Sequence, residues 1–324
     1  MSAAVSKKTV PTVGASTFVY LVIAALIASV PWFTGNVFYF HVGIMVCLAA
    51  MATSGLAVIA WVGQLSLAHA AFVGLGAYTS VLLVTRLGLP FVVGLPAGAL
   101  VAGAVAYLIG KPLLRLRGVY FVLITFALNE LFRLVMLEFP GVSGGSSGIA
   151  GVPKIELFGL VLAEQSQVYV FTLACLVAVT ALLYLIRNGQ LGRRFAAVEE
   201  NPALAESSGT PTARTQNLAF VIGSSIAGFT GAIMAHYIGF ISPETFGFQL
   251  SVSYVIILVT GGRLALWGPL VGAIFLTPLP EFLRGALEYQ HIIYGVILIA
   301  VLRFLPQGLA GLSGQLTRLK GDRS

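Results

Sequence analysis

Few side chains in this 324-residue chain are of a type to do chemistry, and their spacing restricts what that chemistry is. Glu130 and Arg133 stand three apart, the separation at which two helical side chains meet on one face. They read as a structural ion pair rather than a proton relay, since no series of further acids leads away from Glu130. Arg133 also lies within about two turns of the end of its apolar segment, close enough to snorkel. Gln64, Ser66 and His69 gather polar groups beside Gly63, between two apolar segments. The four histidines (His41, His69, His236 and His291) are scattered without metal-ligand spacing, and Cys47 and Cys175 both lie inside apolar runs. Neither a metal site nor a disulfide framework is therefore expected. No nucleophile–base set stands out, so no catalytic residue is assigned. Gly144-Gly145-Ser146-Ser147-Gly148 lacks the lysine and the strand-to-helix setting of a phosphate cradle. The chain is expected to bind no nucleotide and no cofactor, leaving any ATP to separate chains.

The elements that must position these residues are apolar. Hydrophobic residues make up 58% of the chain and charged ones 9%, with a mean hydropathy of +0.98. A bilayer accommodates that composition at about 20 apolar residues per spanning helix. Spans are expected near 17–34, 37–60, 65–85, 90–110, 118–138, 167–187, 216–240, 249–261, 267–283 and 291–305. Fourteen of the 18 Lys and Arg residues fall in alternate loops and tails, which the positive-inside rule places in the cytoplasm with both termini. The expected fold is thus all-α and polytopic, with about ten transmembrane or re-entrant helices. It forms one transmembrane domain, 1–324, with cytoplasmic tails at 1–16 and 306–324 and a cytoplasmic loop at 187–215. Lys7 and Lys8 before the run Phe18–Val30 imitate a signal peptide, but the many spans that follow favour an uncleaved first helix. The formal charge of +7 fits cationic loops on a membrane face, and no basic run interleaved with aromatics points to nucleic acid.

In the 187–215 loop, Asn201 suits an N-cap, Pro202 the first helical position and Gly209 the left-handed residue that ends a helix. This predicts a helix of about two turns, too short to be stable unless it packs on something. With Glu199, Glu200, Leu204 and Ala205 it reads either as a docking surface for a soluble partner or as a solvated connector. The break holding Gln64, Ser66 and His69 likewise has two readings. It lies beside a translocation path, or Gln64 and Ser66 cap a helix end and His69 is an interior residue with its bonds satisfied. Ser66, Ala70 and Gly74 recur every four residues, as do Ser224, Gly228 and Ala232, which favours close helix packing. The pattern Gly63-x-Leu65-x-Leu67 returns as Gly262-x-Leu264-x-Leu266, a hint of internal repetition.

The stretch Gly63-Gln64-Leu65-Ser66-Leu67-Ala68-His69-Ala70-Ala71-Phe72-Val73-Gly74-Leu75-Gly76-Ala77-Tyr78 is very similar to one in the branched-chain amino acid ABC transporter permeases, the LivM-like subunit in particular. Leu116-Arg117-Gly118-Val119-Tyr120-Phe121 with Asn129-Glu130, Ser143 to Ile149, and Gly261 to Pro269 fit the same family in place and order. Together they reach from about residue 40 to 305. The segment Glu200, Leu204, Ala205, Gly209 loosely resembles the family's ATPase-coupling loop, Glu-x-x-x-Ala-x-x-x-Gly, with Leu204 where the pattern has its alanine. The resemblance implies a non-catalytic subunit of an ATP-driven importer in the bacterial cytoplasmic (inner) membrane. Its implied partners are a second, LivH-like permease, two ATP-binding subunits, an extracytoplasmic solute-binding protein and membrane lipid. Branched-chain amino acids are the implied solutes, and permeases of this type also move urea and short amides. An ion-coupled secondary transporter would need more embedded ionisable groups than Glu130, Arg133 and His69.

Overall fold

The computed structural model describes residues 35–116 and 118–282, with Ser29, Pro31, Trp32 and Gly295 as isolated positions. The expected spans 17–34 and 291–305 and the two tails lie almost wholly outside the described residues. The helices run α1 (Val37–Ala60), α2 (His69–Leu87), α3 (Phe91–Leu113), α4 (Val119–Glu138) and the short α5 (Pro140–Ser143). After strands β1 (Ile149–Ala150), β2 (Glu156–Leu157) and β3 (Leu160–Val161) come α6 (Gln165–Asn188), α7 (Gln190–Glu200), α8 (Pro202–Ser207) and α9 (Thr212–Ile238). Strand β4 (Phe240–Ile241) and a 3-10 turn, Pro243–Phe246, lead to α10 (Phe248–Gly261), α11 (Gly268–Leu276) and α12 (Pro278–Phe282).

Seven of these stretches are long and apolar enough to cross a membrane: α1, α2, α3, α4, α6, α9, and Pro243–Gly261 containing α10. This is an all-α membrane protein, and the four two-residue strands among the described residues lie in connections. β1 pairs antiparallel with β4, Ile149 opposite Ile241, while β2 and β3 form a hairpin. The helices start and stop for local reasons. Asn36 caps α1, its Oδ1 accepting from the Phe38 amide at 2.9 Å, and Gly88 ends α2 in the left-handed region at φ +63°.

Helix α9 runs through the centre, packed along α3, α2 and α1. The junction is made by glycines. A Cβ on Gly76 of α2 would fall on the backbone of Gly228 in α9, and one on Gly228 would stand 2.5 Å from the Gly98 carbonyl oxygen in α3. Without a hydrophobic force between helices in lipid, such backbone-to-backbone packing is a main source of association. The stripe expected from Ser66 is corrected here. Ser66 precedes α2, and Gly74 gives room instead to the rings of Phe132 and Phe246. The surrounding helices expose more: α4 is the least buried of the spans and α1 the most.

Three expected segments differ in extent. The 65–85 span becomes helical only at His69. The 267–283 span divides at Thr277 into α11 and α12, because Pro278 and Pro280 have no amide to continue the helical ladder. The 187–215 loop holds a second helix, α7, which buries Phe195 and Val198, three residues apart, against the bundle.

Candidate functional site

The break between α1 and α2 lies deep in the bundle. Gly63 adopts φ +77°, turning the chain after Ala60, and residues 64–68 run back along α1 without forming helix. His69 Nε2 lies 2.7 Å from the Ala52 carbonyl. A carbonyl only accepts, so this nitrogen carries the proton. Ala52 is eight residues before Ala60, which starts α2 about 12 Å up from the end of α1 at 1.5 Å per residue. Gln64, Ser66 and His69 are all buried, and the His69 ring meets Tyr254 edge-on at 5.9 Å.

A helix that begins inside apolar surroundings must find acceptors for its first amides. Here they come from Ser66 in the break itself and from three residues elsewhere in the chain. Leu67 donates to Thr125 Oγ1 at 3.1 Å, Ala68 to Ser66 Oγ at 3.2 Å, Ala70 to Ser251 Oγ at 2.9 Å and Ala71 to Asn129 Oδ1 at 2.9 Å. Asn129 Nδ2 donates in turn to the Phe246 carbonyl at 3.3 Å. With these donors engaged, the start of α2 is a pinned break and not an empty anion cradle. Sequence reading singled out Asn129 only as part of a motif and missed Thr125 and Ser251. The sole local signal was that each is polar within an apolar run.

Helices α7 and α8 sit below this break. The Asn201 side chain caps α8 by accepting from the Ala203 and Leu204 amides, each at 3.1 Å, with Pro202 first in the helix and Gly209 at φ +84° beyond it. Ala205 is buried, whereas Glu200 and Leu204 are exposed, Leu204 at 65%. Glu199 is placed differently. Its Oε1 lies 3.4 Å from Arg263 Nη2, and its backbone packs under Gly63, whose added Cβ would stand 3.8 Å from the Glu199 Cα. Glu199 thus meets both segments that share the Gly-x-Leu-x-Leu pattern, one at Gly63 and the other at Arg263, and Gly262, like Gly63, has positive φ. Arg187 completes this end by stacking on Trp61, 4.9 Å from the ring centre.

Glu130 and Arg133 meet on α4, Nε to Oε2 at 2.9 Å, and Arg133 Nη1 also holds Glu244 Oε1 at 2.7 Å. Glu244 sits in the 3-10 turn above α10, 111 residues away, and sequence spacing gave no sign of it. Among the described residues no group of three His, Cys, Asp or Glu is arranged to hold a metal. Both cysteines are free thiols.

A family model described as "Branched-chain amino acid transport system / permease component" matches residues 37–302. The chain belongs to that family. It is 30% identical over 285 residues to the LivM protein of Salmonella typhimurium, a high-affinity branched-chain amino acid transport system permease, covering 81% of this chain and 67% of LivM. The Escherichia coli LivM is 31% identical over 281 residues, 80% of this chain and 66% of its own length. The E. coli LivH permease is 29% identical over 150 residues, 45% of this chain and 47% of LivH. The chain thus spans about two thirds of the length of its LivM relatives. No solved structure matches it. As a permease component it is a multi-pass membrane subunit with no catalytic role.

Proposed function

We propose that this permease is the LivM-like half of an ATP-driven importer for branched-chain amino acids in the bacterial inner membrane. It would pair with a LivH-like permease, rest on two ATP-binding subunits that carry the ATP, and receive solute from an extracytoplasmic binding protein. About ten spans with both termini in the cytoplasm, as one domain over 1–324, fit the charge distribution.

The observation that carries the reading is the α7–α8 pair. One side (Phe195, Val198, Ala205) is buried on the bundle and the other (Glu200, Leu204) is open. A two-turn helix is unstable alone, so an anchored one with an open side is a lever for a soluble partner. Closure of the ATPases would push on α8, and Glu199 would pass the displacement to the turns at Gly63 and Gly262. The 61–68 break with Gln64, Ser66 and His69 would then act beside the translocation path as a buried pivot, and alternating access would follow from its movement against α1. Glu130 and Arg133 serve as a structural pair. Uptake assays with leucine against urea or short amides test the choice of solute.

The test is Glu200→Arg with Leu204→Glu. Both side chains are exposed and neither holds the bundle, so membrane insertion and yield stay at the native level while co-purification of the ATP-binding subunits falls. Undiminished co-purification removes the coupling role from α8. Glu199 is the wrong residue for this purpose, because its change would also release Arg263.

A further inference from the structure

The cation in the last turn of α6 has no counter-ion. Arg187 stacks on Trp61, but a ring face that attracts the charge offers no oxygen to accept from it. Arg187 Nη1 and Trp61 Nε1 are both enclosed, and neither has a hydrogen-bond partner. Trp61 itself is only 5% exposed. The end of a helix favours a cation, yet Nη1 takes none of the α6 carbonyls. Glu199, on the neighbouring α7, is engaged by Arg263 instead. Two enclosed donors, one of them charged, thus stand together without an acceptor. Burial of such groups is costly unless an anion meets them.

The surroundings say which kind of anion fits. Helix α7 starts against this residue, since a Cβ on Gly192 would fall on the Arg187 backbone. No side chain caps that first turn, and the start of a helix favours a negative group. Arg193 and Arg194 come next, both exposed and in no ion pair among the described residues. On the membrane side, α6 presents Leu182 and Leu185, 49% and 68% exposed, in the turn and a half before Arg187. Donors for a phosphate therefore adjoin an open apolar face that suits acyl chains. Basic pockets between spanning helices at a membrane surface bind anionic lipid headgroups in this way. A small soluble anion would use the donors but gain nothing from the leucines.

We propose that Arg187 and Trp61, with Arg193 and the first turn of α7, hold the phosphate of an anionic phospholipid whose acyl chains lie along α6. The charge distribution places this end of α6 at the cytoplasmic leaflet. A lipid bound there ties the membrane to the root of α7 and so stiffens the joint between α6 and the α7–α8 pair.

The experiment is native mass spectrometry of the delipidated full chain, titrated with phosphatidylglycerol. The native chain takes up one molecule ahead of any others. Arg187→Gln weakens that first binding at least about ten-fold, since hydrogen bonds to charged groups are the stronger ones. Trp61→Phe keeps a ring and removes the N–H, and weakens it about three-fold or more. Arg214→Gln is the control for net charge, because Arg214 is exposed at the start of α9, and it leaves the first binding at the native level. Arg187→Gln binding as tightly as Arg214→Gln overturns the proposal, the result also expected if a carboxylate of a soluble partner meets Arg187 instead. If that variant does not fold, Trp61→Phe decides in its place by the same comparison. Glycerol 3-phosphate, a phosphate ester without acyl chains, is the second arm. Displacement of phosphatidylglycerol by an equal concentration of it assigns the site to free phosphate esters and overturns the choice of lipid. The measurement needs neither ATP nor solute, so its outcome is separate from that of the transport reading.

Discussion

Replacing Asn129 by alanine tests whether the polar clasp holds the start of α2. Asn129 is fully buried, accepts from the Ala71 amide at 2.9 Å and donates to the Phe246 carbonyl at 3.3 Å. Alanine leaves both backbone groups without that partner in an apolar interior. An orphaned buried group costs about 1–3 kcal/mol, whereas interhelical hydrogen bonds measured in a membrane protein average about 0.6 kcal/mol. The lower figure arises because the membrane-unfolded state finds other partners. Ala71 is in the first turn of α2, where an amide has no intrahelical acceptor even when the helix persists, so the higher figure governs it. The sum for both groups is about 2 kcal/mol, roughly a thirty-fold change in the unfolding equilibrium. The assay is reversible SDS titration of the purified transporter in mixed micelles, followed by tryptophan fluorescence. Ser253→Ala is the control, since Ser253 Oγ donates only to the Gln249 carbonyl of its own helix and should change stability by less than about 0.5 kcal/mol. An N129A shift no larger than that of S253A refutes the clasp.

Two further outcomes follow from the packing and the cap. Gly76→Val places a side chain in the Gly228 backbone, so the α2–α3–α9 junction cannot close, and the monodisperse peak in size-exclusion chromatography should be lost; Gly141→Val, which meets nothing within 4 Å, should leave it intact. Asn201→Ala removes the acceptor of two amides at the start of α8 and costs about 1 kcal/mol of local helix stability, so amide exchange across residues 203–207 should speed up several-fold while exchange in α9 stays unchanged.

The features legible in the sequence are those with local causes. Apolar runs of membrane length, the bias of basic residues to alternate loops, and the Asn201-Pro202 start of α8 each act within a few residues of where they are read. Helix α7 escaped notice because its helicity depends on seating Phe195 and Val198 against a surface assembled from elsewhere. The late start of α2 escaped for a related reason. Residues 64–68 are apolar enough to be read as helix, but the path of the chain is decided by acceptors that Thr125, Asn129 and Ser251 supply from α4 and α10.

The ion pairs of Arg133 divide in the same way. The spacing of Glu130 and Arg133 announces their pairing, since three residues on a helix bring two side chains together whatever surrounds them. That Arg133 also takes Glu244, and that its charge is held below the helix end, depends on a turn 111 residues later in the chain. By itself the sequence determined the class of protein, the apolar runs of seven spans and the Asn201 cap, because hydropathy and capping are short-range. Tertiary structure alone decided which polar groups from different helices meet. A donor or charge at bilayer depth must find a partner, and that need is written in its residue type, but the partner's identity is set by which helices pack side by side.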